Sequence, residues 1–123
     1  MKLSNKDMSI EHEEHMARVF EGRREPASGA NPARPGDVFC RGLKTVAAYG
    51  QPLLLEGKTT EGGSIAVSRA KFEKTMAEAA QRGARPYWHL RFRDPYNPKN
   101  VLNLVVKLED DELADQALLA DYH

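Results

Sequence analysis

Leu53-Leu54-Leu55 is the most apolar run in the chain, and it leads directly into Glu56-Gly57-Lys58-Thr59-Thr60. Gly50-Gln51-Pro52 ahead of it is a turn signal. A short segment that is apolar at every position suits a central strand covered on both faces. Successive side chains of a strand alternate between its faces, so Glu56 and Lys58 share one. A carboxylate and an ammonium at the end of a buried strand are costly unless they are paired, metal-bound or used in catalysis. Any fold of this chain has to resolve that cost.

The remaining elements group around this strand. Met16, Ala17 and Phe20 lie three, four and seven residues beyond Glu13, so the pattern predicts a helix over 9–21 with these four on one face. Glu14 faces elsewhere, towards Arg18, and Gly22 ends the helix. Residues 23–36, with three prolines and two glycines, read as a loop. Asp37 to Arg41 reads as a short strand, and Thr45 to Tyr49 as a second. Gly62-Gly63 turns the chain before a brief extended stretch over 64–67. Ser68 is a good N-cap for a helix carrying Phe72, Met76, Ala79 and Ala80, and Gly83 stops it. Residues 86–93 alternate, with Trp88, Leu90 and Phe92 on one face and Tyr87, His89, Arg91 and Arg93 on the other. After a turn over 94–98, Leu102, Leu104, Val106 and Leu108 share one face of a last strand. An acidic helix over 110–120 follows, with Leu113, Ala117 and Leu118 as its apolar stripe. Helix, three strands, helix, two strands, helix is an α/β arrangement. It occupies 1–123 as a single domain, with 1–8 as a flexible N-terminal arm and 110–123 as an acidic helix or tail.

Lys plus Arg and Asp plus Glu each number 18, yet the charge is unevenly spread. Residues 18–99 hold fifteen bases and eight acids, whereas residues 100–123 hold one base and six acids. A basic central block is the electrostatic footprint expected of a phosphate-binding face, since local field rather than net charge attracts a polyanion. The single cysteine, Cys40, excludes an internal disulfide and a cysteine-based zinc site, and points to a reducing compartment. No run approaches the roughly 18 apolar residues of a membrane span, and the N-terminus lacks the apolar core of a secretory signal. A cytoplasmic protein is therefore expected.

Asp37 opens the strand after the loop, where sheet pairing could bring it beside Glu56. Two hard oxygen ligands with room for water suit Mg²⁺, with Mn²⁺ as an alternative. A metal so held activates water for displacement at phosphorus, and Lys58 offsets the developing charge. On spacing alone, a surface ion pair is the simpler reading of Glu56 and Lys58.

Further residues narrow the choice. Glu13 on the first helix, the loop Pro26-Ala27-Ser28-Gly29-Ala30, Gly36-Asp37 and Leu55-Glu56-Gly57-Lys58-Thr59-Thr60 stand in chain order. The helix from Ser68 and the strand from Tyr87 follow them. Over roughly residues 9–93 the chain resembles the PD-(D/E)xK nuclease superfamily, and within it the Holliday junction resolvases of archaeal and phage type. The resemblance implies a restriction-endonuclease-like fold, a central mixed β-sheet flanked by helices. It implies Asp37 and Glu56 as metal ligands, Glu13 completing the acidic cluster, Lys58 assisting the hydrolytic water, and Ser28 beside the metal or the scissile strand. It also implies a homodimer resolving four-way DNA junctions. The chain departs from the family in having Gly36 at the usual proline position. Its Asp37–Glu56 interval is also long, a length assigned to an extended hairpin around 42–51. Arg23, Arg24 and Arg34 flank the loop and are the expected DNA phosphate contacts. A related nuclease cutting flaps or duplex, and a non-catalytic DNA-binding module, are the alternatives.

Other signals are weaker. His12 and His15 lack zincin spacing and read as polar residues of an exposed helix. Gly57-Lys58-Thr59 resembles the end of a Walker A loop, but the first glycine that loop needs falls on Pro52. Cys40 reads as packing, and His89, Arg91 and Arg93 as a solvated strand face rather than a DNA contact. Tyr87 and Trp88 read as core or interface residues.

Overall fold

A computed structural model describes residues 4–20, 23–24 and 37–121. Nine elements follow in the order α1 (Asn5–Phe20), β1 (Arg23–Arg24), β2 (Asp37–Cys40), α2 (Leu43–Tyr49), β3 (Leu53–Thr60), α3 (Arg69–Gln81), β4 (Arg85–Asp94), β5 (Asn97–Lys107) and α4 (Glu109–Asp121). The strands form one mixed sheet in the order β1-β2-β3-β4-β5. The β1–β2, β2–β3 and β4–β5 pairs are antiparallel, while β3 and β4 are parallel and joined through α3. The expected α/β class is therefore observed. Among the described residues, no helix is long and apolar enough to cross a membrane.

Strand β3 sits centrally, with Leu53, Leu54 and Leu55 all buried. Leu53 and Leu55 join Met16, Val38, Cys40 and Tyr87 in one cluster, against which Tyr49 also packs. Leu54 joins Phe39, Ala79 and Ala84 in another. The even-numbered positions of β3 thus face α3, and the odd-numbered ones face α1 and α2. Further along the α3 face, Phe72, Trp88 and Leu90 form a third cluster, with Val106 and Leu108 packed against it.

Several expectations change: Arg23–Arg24, read as loop, is strand β1, and β5 begins at Asn97, within the expected turn. The first helix begins at Asn5, where the Ser4 hydroxyl accepts a hydrogen bond from the Asp7 backbone N–H at 3.1 Å. Residues 5–8 are thus helical rather than a flexible arm, and Met8 is buried. Thr45–Tyr49 is helix α2, not a strand, and it occupies the stretch assigned to an extended hairpin. Gly50, at φ 77°, ends α2 by donating its N–H to the Val46 carbonyl. The Thr45 hydroxyl bonds the Phe20 carbonyl at 3.0 Å, so α2 is tied to the end of α1. In α4 the buried position is Asp115, while Leu113 is exposed.

Asp115 explains why the acidic helix docks. It accepts from the Arg85 guanidinium, from the Tyr87 hydroxyl at 2.9 Å and from Lys107 Nζ at 3.1 Å. Burial raises its pKa, but the bonds from Lys107, Tyr87 and Arg85 outweigh burial and hold the carboxyl below its ordinary value. Removing one partner of a buried ion pair leaves the other desolvated, at a cost of about 3–5 kcal/mol. Asp115→Ala should lower the urea unfolding free energy by that order, and Asp115→Asn by less. A change under 0.5 kcal/mol for Asp115→Ala (roughly the scatter of surface substitutions) would show that α4 docks by other contacts.

Gly57 decides how closely α1 approaches the sheet. A Cβ at this position would stand 2.6 Å from Met16 Cε and 2.9 Å from His12 Cε1. Met16 Cε is the far end of a flexible side chain, but the buried His12 ring is held by its contact with His89 at 2.7 Å and must shift. Gly57→Ala should destabilise the fold by about 1–3 kcal/mol through overpacking, measured as a shift in thermal midpoint. A neutral result would show that α1 can lift without cost.

Candidate active site

Strand β2 ends its pairing with β3 at Asp37, which lies directly across from Glu56. Beyond that point, among the described strands, residues 57–60 of β3 continue against β4 alone. A cleft of about 440 Å³ opens at this strand end. Ser9 and His12 of α1, Lys58 and Thr59 of β3, Lys71 of α3 and Trp88 of β4 contribute to its walls.

Glu56 faces α3, next in the chain to the cleft-lining Gly57, and is 8% exposed. Its Oε1 accepts from Lys58 Nζ at 3.1 Å, and its Oε2 accepts from the Thr75 hydroxyl. Thr75 is in turn held by Trp88, whose indole N–H donates to the threonine oxygen at 2.9 Å. The Lys58 ammonium lies 5.0 Å from the Trp88 ring centroid, a cation–π distance. The cost of the charged pair is met by this chain of contacts.

The expected site residues are placed as follows. Glu56 and Lys58 meet as an ion pair, and Asp37 occupies the register position opposite Glu56. Glu13 is buried on α1, which packs against β2 and β3 from the face opposite Glu56, with His12 beside it in sequence lining the cleft. Arg23 and Arg24 form β1, paired with β2 through Phe39 and Val38. Ser28, Arg34 and the rest of residues 25–36 lie outside the described residues, as do the side chains of Arg23, Arg24 and Asp37. Among the described residues, no group of three or more His, Cys, Asp or Glu side chains is placed to hold a metal ion.

Sequence reasoning missed Thr75 and misplaced the histidines. Thr75 falls three residues after Phe72 and four before Ala79, on the sheet-facing stripe of α3, and is buried while Ala80 is exposed. A hydroxyl within an apolar stripe was the available signal. His12 is 2% exposed rather than a surface residue, because the absence of a side chain at Gly57 lets its ring reach the sheet. Its Nε2 lies 2.7 Å from Nδ1 of His89, which is itself 3% exposed. The face carrying His89, Arg91 and Arg93 is therefore not solvated. Helix α1 covers it, and Glu11 bridges Arg91 at 3.1 Å and Arg93 at 3.3 Å. Cys40 is buried, and burial pushes its thiol up to about 12, in keeping with a packing role.

Comparison with protein-family models, with curated proteins and with solved structures finds no match for this chain.

The histidine pair makes stability depend on pH. Burial, and then the neighbouring His89, Arg91 and His15, lower His12 from 6.5 to about 3. Burial, His15 and Arg91 lower His89 to about 4. Both rings are neutral in the fold, one donating and the other accepting. Because both values are depressed, the unfolded chain binds protons first as pH falls. This stabilisation is complete above about 6.5 and is lost towards 4 and 3, by up to about 1.4 kcal/mol per pH unit for each ring. Urea melts should show unfolding free energy falling between pH 6.5 and 5, above the range where carboxylates dominate. A flat profile in that window would mean the pair is not neutral and buried.

Proposed function

We propose that this chain is a metal-dependent endodeoxyribonuclease with a restriction-endonuclease-like fold, acting on branched DNA and most specifically on four-way junctions. One observation carries the reading: the antiparallel register sets Asp37 opposite Glu56 where β2 stops, with Lys58 bonded to Glu56 beside a cleft. A mixed sheet with helices on both faces supports it at the level of fold. The donor set fits a hard cation, since Mg²⁺ is commonly held by only one or two protein carboxylates and completes its shell with water and substrate phosphate. Asp37 and Glu56 would hold the ion. Glu13, the third acid of the expected set, is carried by α1 on the opposite face of the sheet, so it would reach the ion only around the edge of β3 that β2 leaves uncovered beyond Asp37.

When bound, Mg²⁺ or Mn²⁺ supplies water activation and charge stabilisation at phosphorus. The chain's own residues do the rest. Thr75 and Trp88 hold Glu56 in one orientation, so the carboxylate is set before substrate arrives. Lys58 presents its ammonium to the cleft and offsets charge gathering on a phosphate there. Lys71 adds a second cation at the cleft wall. Arg23 and Arg24 on β1, together with Arg34 and Ser28, are assigned to the DNA strand approaching from the β2 side. Phosphate contacts of this kind position DNA without reading its sequence, which suits selection by junction shape.

The engagement of both Glu56 oxygens favours one rival, a DNA-binding module with no cleavage activity. Labelled four-way, Y-shaped and linear DNA, incubated with Mg²⁺ or with EDTA, separates the two. Cleavage of the four-way substrate in Mg²⁺ alone is expected. Glu56→Gln and Asp37→Asn should each lower the cleavage rate about 10²-fold or more, the scale seen when a charge-stabilising group is lost, while junction binding stays within a few-fold of the parent. Normal cutting by both variants would remove these residues from the site. Binding without any metal-dependent cutting would favour the module.

A further inference from the structure

Strand β5 lies at the edge of the sheet, and among the described strands only β4 pairs with it. It runs 11 residues and is exposed along most of its length. Leu102 is 56% exposed, and Leu104 and Val105 are each 44% exposed. No charged residue lies between Lys99 and Lys107. Long apolar edges are usually blunted by charge, proline or a bulge, because their free N–H and C=O groups template pairing with another chain. Here Pro98, Lys99 and the irregularity at Arg93/Asp94 sit at one end, and the middle is unguarded.

That middle has a particular sequence. Val101-Leu102-Asn103-Leu104-Val105 reads the same in both directions about Asn103. A two-fold interface brings the same patch of both subunits together and so demands self-complementarity. An antiparallel strand that is its own reverse meets that demand at every position. With the axis at Asn103, Val101 faces Val105 of the partner subunit, and Leu102 faces Leu104 of the partner subunit. The faces also agree. Asn103 accepts from Arg91 on the α1 side at 2.9 Å, so the valines belong to that face and the leucines to the other. The leucine face continues into an apolar groove of about 380 Å³ lined in part by Val67, Phe72, Met76, Val106 and Leu108. Beyond the palindrome, Asn100 falls opposite Val106 of the partner subunit, and the like-charge match sets Lys99 against Lys107 of the partner subunit. Its charge is already offset by Glu112 at 2.7 Å and Asp115 at 3.1 Å.

We propose that a second copy of this chain docks antiparallel along β5, with the two-fold axis at Asn103, joining the two five-stranded sheets into one. The inference stands on β5 alone and holds whether or not the cleft cuts DNA. The strand edge that borders the cleft belongs to β3, so pairing along β5 leaves the cleft open.

Light scattering on the full chain should give twice the 13.8 kDa chain mass. Leu104→Lys, at an exposed position, should return it to the single-chain mass with an unchanged circular dichroism spectrum. Register is tested separately by cysteine cross-linking, since the only native cysteine, Cys40, is buried. Directly opposed residues have Cβ atoms about 4.5–5.5 Å apart. A pair offset by four residues stands about 13 Å apart at roughly 3.3 Å per residue. Asn103→Cys should therefore form a disulfide-linked dimer under mild oxidation at least tenfold faster than Val101→Cys. A native chain that stays monomeric overturns the proposal, as does a folded Leu104→Lys variant that still dimerises. Cross-linking of Val101→Cys as fast as Asn103→Cys overturns the register.

Discussion

A carboxylate buried midway along the central strand is the constraint that organises this molecule. Glu56 follows three leucines whose burial requires helices on both faces of β3, and those helices take the glutamate out of water as well. Desolvating an ion costs several kcal/mol unless partners replace the lost water. Lys58 supplies an opposite charge two residues on, and Thr75 supplies a hydroxyl from across the packing interface. Trp88 extends the contact from β4, so β3, β4 and α3 are joined through one polar chain inside an apolar layer. Polar groups fully satisfied in this way specify a single arrangement of their surroundings. A site built on two strands and a helix is also rigid, which a functional group requires.

The opposite face of the sheet meets the same demand with different chemistry. There α1 lies directly on the backbone at Gly57, and the polar groups it buries are two imidazoles that bond each other and remain neutral. Further along, Glu11 neutralises two arginines of β4. At the far end of β4, Asp115 gathers Arg85, Tyr87 and Lys107 and anchors α4. Two helices that the sequence presents as polar surface, α1 and α4, are thus docked through polar side chains. The apolar stripe assigned to α4 contributes less, with Leu113 and Ala117 both exposed.

Much of the fold was legible because it depended on local patterns. The leucine run, the Ser68 cap, the left-handed Gly83 and the alternation of β4 each act within a few residues, and each element was found close to where the pattern set it. Thr45–Tyr49 was misread because a threonine, a valine and a tyrosine suit a strand as well as a short helix. The contacts of α2 with Phe20 and with α4 decided between them, and no local window contains those contacts. Of the candidate site, the shared face of Glu56 and Lys58 followed from the two-residue period of a strand. The partners Thr75 and Trp88, 19 and 32 residues away along the chain, did not.

The sequence by itself determined which segments could be strand or helix, that β3 would be central, and that one acid and one amine would share a face of it. Tertiary structure alone decided that Asp37 stands across from Glu56, that His12 is buried against His89, and that the acidic helix is held by Asp115. The physical reason is the range of the forces involved. Backbone periodicity and capping act over three or four residues and are written in the local sequence. The pairing of buried polar groups depends on which distant side chain arrives at hydrogen-bonding distance, and only the packed chain sets that distance.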